Sequence, residues 1–235
     1  DKDYTAEADY VDQLIKKYHA QTKTILEFGC GTGKHAKQLA QHEYAIHGID
    51  LSAEMIKQAQ QLHKDAPNLS FSQADLRTVS LDKTFDTVVS LFHVMSYQTT
   101  NADLTRAFVS AHKHLAPGGL FIFDCWYGPA VLTQIPSIRV KRAEHAGAQI
   151  IRLSEPTLHH ELNCVDVHFT LLIHQNAPHS AEIIHETHRM RYLFAPEVQE
   201  LFERTGFAVK ATHAWLTDTA PALSSWNVCF VGQKI

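Results

Sequence analysis

The stretch that decides the fold reads Ile25-Leu26-Glu27-Phe28-Gly29-Cys30-Gly31-Thr32-Gly33-Lys34-His35-Ala36. An apolar run ends in three glycines at alternate positions, and a helical pattern follows. Glycine permits positive φ and has no Cβ, so backbone N–H groups can approach a bound group closely. A strand that breaks into such a loop and then opens a helix is typical of a nucleotide-binding site.

One interpretation of this loop is a dinucleotide site. Gly31, Gly33 and Ala36 fit the G-x-G-x-x-G/A pattern. Asp50 stands about 20 residues further on, where a ribose-binding carboxylate is expected. On this interpretation the protein is an NAD-dependent oxidoreductase. A glycine-rich turn without a ligand is a further alternative.

Glu27, two residues before the first glycine, supports a third interpretation of the loop. Counted from Glu27, the pattern acidic-x-Gly-x-Gly-x-Gly resembles motif I of the class I S-adenosylmethionine-dependent methyltransferases. A pyrophosphate is anionic and favours a helix N-terminus without a neighbouring carboxylate. The methionyl part of S-adenosylmethionine instead carries an ammonium and a sulfonium, which a carboxylate favours. Glu27 therefore favours S-adenosylmethionine as the cofactor, with S-adenosylhomocysteine as its product.

Composition limits the partners. The 235 residues are 45% hydrophobic and 20% charged, as in a soluble globular domain that can carry an insertion. The net charge of −4 and the lack of basic runs argue against nucleic acid or an anionic membrane. No apolar stretch reaches the ~20 residues of a membrane span, and no signal peptide is visible. Four separated cysteines indicate reduced thiols in the cytoplasm, and seventeen scattered histidines predict no metal site.

The first half of the chain alternates between strand and helix patterns. This alternation predicts a doubly wound, Rossmann-like α/β sheet with ligands bound beyond the strand C-termini. The predicted strands are residues 24–28, 44–49, 69–73, 85–91 and 120–125. Predicted helices begin near Asp3, after the glycine loop, at Ser52 and near Ala102, and Pro117-Gly118-Gly119 ends the last of them.

After Trp126 the periodicity changes to alternation. Val165, Val167 and Phe169 share one strand face, and this region predicts three or four antiparallel strands. We expect residues 130–195 to form a β insertion that covers the substrate pocket and offers a homodimer contact. Residues 1–129 and 196–235 form the predicted donor-binding core. Its closing hairpin completes a seven-stranded sheet with an antiparallel last strand, as in methyltransferases.

Side chains at the predicted strand ends suggest donor contacts. Asp50 can accept hydrogen bonds from both ribose hydroxyls, or it can cap the following helix. Ala74-Asp75-Leu76 resembles the methyltransferase segment that holds adenine, although Asp75 also suits a turn. With the loop and the apolar walls, the predicted donor contacts are Tyr4, Glu27, Gly29, Cys30, Gly31, Gly33, Asp50, Leu51, Met55, Ala74, Asp75, Leu76 and Leu91.

A narrower resemblance covers nearly the whole chain. The segments that carry it are Lys2-Asp3-Tyr4, Glu27–Ala40, Ala74–Arg77, Asp124–Tyr127 and Glu186–Arg189. Together they resemble bacterial sugar N-methyltransferases, which dimethylate the amino group of a nucleotide-linked deoxyaminosugar and tend to be dimers. That family has a further N-terminal segment that closes over the donor. It also carries a histidine after strand 4, where this chain has Tyr97 with His93 nearby.

The resemblance implies methyl transfer to a small-molecule amine, with O-methylation of a small metabolite as the alternative. Transfer is an in-line displacement that depends mainly on positioning, and an amine acceptor has only to be neutral. His93 is the candidate proton acceptor, since histidine titrates near neutrality. Candidate substrate contacts are Tyr97, Trp126, Tyr127 and Arg189. A module that binds the donor without transferring its methyl group stays open as a third hypothesis.

Overall fold

The computed structural model describes residues 2–145, 147–174 and 181–235. The helices are α1 (Tyr4–His19), α2 (Lys34–Leu39), α3 (Ala53–Leu62), α4 (Asn101–His114), α5 (Gly128–Thr133) and α6 (Ala195–Arg204). The strands are β1 (Thr24–Phe28), β2 (Ala45–Asp50), β3 (Leu69–Gln73), β4 (Phe85–Ser90), β5 (Leu115–Tyr127), β6 (Arg139–His145), β7 (Ala148–His159), β8 (Cys164–His174), β9 (Ala181–Leu193), β10 (Phe207–Ala214) and β11 (Asn227–Lys234). Residue 1 of the predicted core, and residues 146 and 175–180 of the predicted insertion, lie outside the described residues.

Polar side chains begin three of the helices. The carboxylate of Asp3 accepts a hydrogen bond from the backbone N–H of Ala6 at 3.0 Å, which starts α1. Ser52 and Thr100 cap α3 and α4 in the same way. Such caps satisfy N–H groups that have no partner within the helix. None of the described helices is both long enough and apolar enough to cross a membrane.

The central sheet has the strand order β3-β2-β1-β4-β5-β11-β10. Strands β1 to β5 pair in parallel, and β11 runs antiparallel to both of its neighbours. This is the predicted seven-stranded sheet with an antiparallel last strand. The strand order reverses between β1 and β4, which is where open α/β sheets bind their ligands.

Two layers of buried side chains cover the sheet, one on each face. Along β5, Phe121 and Phe123 pack with Phe108 of α4 and Phe202 of α6. The alternate residues Leu120 and Ile122 belong to the other layer, with side chains of α1, α2 and α3. A strand covered on both faces is apolar at successive positions, which explains the continuous runs in the sequence.

The strands β6 to β9 form an antiparallel sheet whose last strand pairs with the end of β5. Residues Trp126 and Tyr127, at the end of β5, pair in parallel with Tyr192 and Leu193 of β9. Buried Arg191 strengthens this junction through hydrogen bonds to Asn101 and Glu197. The four strands therefore project from the edge of the core where the strand C-termini lie.

Two features near β5 differ from the prediction. The strand begins at Leu115, ahead of Pro117-Gly118-Gly119, because Leu115 already pairs with Phe85. The chain then bulges before Leu120 takes up the register opposite Thr87. Directly after β5 the short helix α5 occupies residues for which no helical period was predicted.

Candidate active site

A cleft of about 1230 Å³ opens at the C-terminal ends of the parallel strands. The glycine loop and the segment after β4 form its floor, and β6, β7, β8 and β9 contribute its roof. Among the side chains and loop positions predicted from the sequence, those that line it are Tyr4, Gly29, Cys30, Gly31, Asp50, Met55, Leu91, His93, Tyr97 and Trp126. The structure therefore brings most of the predicted donor side and part of the predicted acceptor side into one space.

The glycine loop has the backbone shape that its sequence predicts. Gly29 has φ +69°, and a Cβ there would lie 2.5 Å from a methyl carbon of Val94. Gly31 has φ +53°, but a Cβ there would meet nothing within 4 Å. Gly29 therefore permits close packing with the segment after β4, whereas Gly31 leaves open space beside the cleft.

Asp50 is held by two backbone groups. Its Oδ2 accepts a hydrogen bond from the N–H of Gly31 at 2.8 Å, and its Oδ1 accepts one from Ser52 at 2.9 Å. Each carboxylate oxygen has a second lone pair, so both can accept another hydrogen bond from a diol in the cleft. Asp50 is thus fixed in place and retains the capacity that ribose recognition needs.

Glu27 lies beneath the loop and does not line the cleft. It is only 1% exposed, and its Oε2 has no hydrogen-bond partner among the described residues. Burial, together with the negative charge of Asp50, raises the pKa of its carboxyl to about 8. An unpartnered buried carboxyl beneath this loop suits a cationic group bound above it.

The first turn of α1 is tied to the loop by charged groups. Glu7 lies 2.7 Å from the Nε2 of His35 and 2.9 Å from the Nζ of Lys2. The same Nζ lies 3.4 Å from the ring centre of Phe92, which lines the cleft. The side chains of Glu7 and His35 are 28 positions apart, so no local pattern in the sequence marks the pair.

His93 faces the cleft in front of a buried carboxylate. Its Nε2 lies 3.2 Å from Oδ2 of Asp124, and its backbone N–H donates to both carboxylate oxygens. Burial raises the pKa of Asp124, and the nearby imidazole opposes that shift. Phe92 and His93 both have φ above +60°, a conformation that non-glycine residues rarely adopt. Strain of this kind is typical of functional sites.

The structure places Asp75 and its neighbours outside the cleft lining. The carboxylate of Asp75 forms a two-pronged ion pair with Arg77 that lowers its pKa. Leu76 is 9% exposed and belongs to the core, and Ala74 packs against it. Contact of these residues with adenine stays a prediction. A hydrogen bond from adenine to Asp75 would have to share the carboxylate with Arg77.

Several other predicted residues also lie away from the lining. Gly33 packs against Phe71 at the start of α2, and Leu51 is 65% exposed. Tyr127 packs against the core. Arg189 differs most from the prediction. It pairs with Asp166, whereas its strand neighbours His188 and Met190 line the cleft. Because side chains alternate along a strand, Arg189 faces away from the predicted acceptor site.

Comparison with known proteins identifies the family. A family profile described as a methyltransferase domain matches residues 25–119. The dTDP-3-amino-3,4,6-trideoxy-alpha-D-glucopyranose N,N-dimethyltransferase of Streptomyces venezuelae is 30% identical over 171 residues, covering 72% of this chain and 70% of that enzyme. The chain belongs to the S-adenosylmethionine-dependent methyltransferases. Its methyl donor is S-adenosylmethionine, and the dinucleotide alternative for the glycine loop is wrong.

Two further comparisons cover more of this methyltransferase. The dTDP-3-amino-3,6-dideoxy-alpha-D-glucopyranose N,N-dimethyltransferase of Streptomyces fradiae is 26% identical over 211 residues, covering 89% of the chain and 79% of that enzyme. An S-adenosylmethionine-dependent methyltransferase from Clostridium acetobutylicum has the same fold, with a TM-score of 0.86 and 16% identity. That structural match covers 100% of this methyltransferase and 93% of its counterpart, so the β6–β9 sheet belongs to the shared fold.

The residues of the cleft fit the methyl donor. Asp50 offers two lone pairs to a diol, Met55 and Leu91 supply apolar walls, and Glu27 provides a carboxyl beneath the loop. The sequence analysis assigned no role to Asp124 behind His93 or to His188 on the roof, although both lie in segments that carry the family resemblance. It did not single out Arg139 or Arg152 on the roof. The alternation of β6 to β9 could have indicated which arginines face inward, but only with the strand register known.

Proposed function

We propose that this methyltransferase methylates the amino group of a sugar that carries a nucleotide diphosphate. The observation that carries the proposal is a pair of arginines, Arg139 and Arg152, on the roof of the cleft. Neither guanidinium forms an ion pair with any other side chain in the described parts of the chain. Guanidinium groups bind phosphate oxygens through paired hydrogen bonds, so two of them suit a diphosphate.

The surroundings of the two arginines support an anionic ligand. Arg139 pairs across the strands with Ser154, which also lines the cleft. The guanidinium carbon of Arg152 lies 5.1 Å from the ring centre of Phe169, a contact that holds a cation over an aromatic face. Hydroxyl, guanidinium and aromatic groups at one end of a cleft can together bind phosphate, sugar and base.

The named relatives support the same acceptor. Both Streptomyces enzymes are named for dTDP-linked aminosugars and for N,N-dimethylation. We extend that substrate class to this chain because its inward arginines supply the charge that a dTDP group requires. The free amino group would then lie toward His93 and the glycine loop, with the diphosphate toward β6 and β7.

The chemistry requires positioning and a route for a proton. When bound, S-adenosylmethionine supplies an electrophilic methyl group on a sulfonium. Trp126 and Tyr97 offer aromatic walls that suit an amine or a sugar. Buried Asp124 lies behind the imidazole of His93 at the cleft, and this ring can accept the proton of a hydroxyl acceptor.

The His93–Asp124 pair also favours a second candidate, O-methylation of a small metabolite. A hydroxyl acceptor must lose its proton during transfer, and a histidine held by a carboxylate is a suitable base. A neutral amine needs no base before it attacks. NMR of the methylated product, which shows whether nitrogen or oxygen carries the methyl group, separates the two candidates.

The proposal also covers the role of the insertion, the oligomeric state and the cellular location. Residues 130–195 would cover the acceptor pocket. On the outer face of the insertion, Val140, Leu172 and Ile183 are 53%, 39% and 57% exposed, which suits a homodimer contact. All four cysteines are free and buried, which suits the cytoplasm.

The test compares a dTDP-linked aminosugar with the same free aminosugar. Arg139→Gln and Arg152→Gln should each raise KM for the linked sugar by about 10- to 100-fold, the value of one charge-assisted hydrogen bond. KM for the free sugar should not change. Arg142→Gln is the matched control. Arg142 lies on the same strand three positions from Arg139, so its side chain is on the opposite face of the sheet and away from the cleft. Equal KM values for the parent and both cleft variants would remove the support for a diphosphate.

A further inference from the structure

A hydrogen-bonded chain crosses the cleft from the core to the insertion. The hydroxyl of Tyr97 lies 2.7 Å from Nδ1 of His188, and Nε2 of His188 lies 3.3 Å from Oε2 of Glu186. Tyr97 follows β4 and His188 lies on β9, so the chain links two parts of the protein 91 positions apart. Both Tyr97 and His188 line the cleft.

The donor and acceptor roles in this chain can be assigned from its members. Burial, and then the negative charge of Glu186, raises the pKa of Tyr97, so its oxygen keeps a proton at neutral pH. The phenol O–H therefore donates to Nδ1 of His188. This bond fixes the tautomer of His188, and its Nε2–H then donates to the carboxylate of Glu186.

The two ends of this hydrogen-bonded chain open to different spaces. Tyr97 is 46% exposed and faces the cleft, whereas the side chain of Glu186 is 54% exposed at the far end. The imidazole between them packs edge-on against Phe169 at 5.2 Å, which holds the ring in place. A chain with one end in a cleft and the other in water can move a proton between the two.

We propose that Tyr97, His188 and Glu186 form the route by which the methylated amine loses its proton. The inference rests on the proposed N-methylation, because a hydroxyl acceptor would lose its proton before or during transfer. A neutral amine that gains a methyl group becomes an ammonium. It must lose a proton before it can accept a second methyl group.

The N–H bond of the ammonium breaks as the oxygen of Tyr97 takes the proton. The O–H bond of Tyr97 breaks as Nδ1 of His188 takes its proton. The imidazolium then releases the Nε2 proton to water beside Glu186. The amine regains its lone pair, and the protein returns to its starting charge. His188 regains its starting tautomer by proton exchange with water, which adds a proton at Nε2 and removes one from Nδ1.

Charged groups near the relay set its pH dependence. Among the described residues, Glu186 on β9 is the one in direct contact with His188. Arg152 of β7 and the imidazole of His188 both pack against the ring of Phe169. On the floor of the cleft, His93 lies four positions before Tyr97, with the buried carboxylate of Asp124 behind it.

The test measures the two methyl transfers separately, by following mono- and dimethylated product over time at several pH values. Tyr97→Phe and His188→Gln should slow the second transfer by about 100-fold at neutral pH, the lower end of what positioned proton transfer contributes. The first transfer, from an amine supplied in neutral form, should change less. Raising the pH should restore the second transfer, since hydroxide in the cleft can then remove the proton.

His185→Gln is the matched control. His185 lies on the same strand three positions away and bonds Thr170 at 3.2 Å on the opposite face of the sheet. It should behave as the parent, and Glu186→Gln should show a weaker form of the Tyr97→Phe effect. If Tyr97→Phe and His188→Gln keep the parent ratio of the two rates at every pH, the relay is refuted. If the parent makes no N-methylated product at all, the proposed function fails instead.

Discussion

Asp50→Ala tests the donor assignment at its best-defined contact. The replacement removes the acceptors for the N–H groups of Gly31 and Ser52, at 2.8 and 2.9 Å. For a partly exposed carboxylate the two bonds contribute about 2–4 kcal/mol. In a domain of this size that loss lowers Tm by about 4–16 °C.

The same replacement removes the two lone pairs that would receive the ribose hydroxyls. Two charge-assisted hydrogen bonds are worth about 3–6 kcal/mol, so the Kd for S-adenosylhomocysteine should rise about 10²- to 10⁴-fold. Isothermal titration calorimetry measures the Kd, and thermal unfolding without ligand measures the stability. The two measurements separate loss of the ligand contact from loss of the fold.

Asp86→Ala provides the control. Asp86 accepts hydrogen bonds from the N–H groups of Lys23 and Thr24, both at 2.9 Å, at the opposite end of the sheet. Its loss should lower Tm by a comparable amount and leave the Kd for S-adenosylhomocysteine unchanged. An Asp50→Ala protein that binds S-adenosylhomocysteine as tightly as the parent would show that Asp50 does not hold the ribose.

Two further predictions concern pH. Glu27→Gln should raise Tm of the donor-free protein, because burial raises the pKa of this carboxyl to about 8 whereas the unfolded value is about 4.3. The folded parent binds more protons than the unfolded chain, so its stability falls between pH ~4 and ~8 and the gain in Tm should grow over that window; a gain independent of pH would contradict this. Hydrogen bonds from Arg189 lower the pKa of Asp166 to about 2. The folding stability that this pair contributes is therefore present above pH ~4 and is lost as the pH falls toward 2. Asp166→Asn should remove this part of the acid dependence in thermal unfolding, and an unchanged acid limb would contradict it.

The strands of the core could be predicted because each is a short apolar run bounded by turn residues. The bounds of β1 and β3 agree with the prediction, since Gly29 ends one and a Pro67-Asn68 turn precedes the other. The helix α5 could not be predicted, because six residues beginning Gly128-Pro129 carry too little periodicity. The early start of β5 depends on pairing with β4, which has no local signature.

The residues of the site also fall into those that could be predicted from the sequence and those that could not. The loop and Asp50 could be predicted because close backbone approach and diol recognition require particular residues at short spacing. The pairs Glu7–His35 and Tyr97–His188 join positions 28 and 91 residues apart, and only the folded chain brings them together. Arg189 and Arg152 show the limit of composition alone. Both are arginines on strands of the insertion, but the register turns one outward and the other into the cleft.

The most direct measurement follows the transferred methyl group itself. The protein is incubated with S-adenosylmethionine whose methyl carbon is isotopically labelled and with a dTDP-linked aminosugar, and the product is examined by NMR. We expect the label to be attached to the sugar nitrogen, first once and then twice. A label on oxygen, or no labelled sugar while S-adenosylhomocysteine still binds, would contradict it.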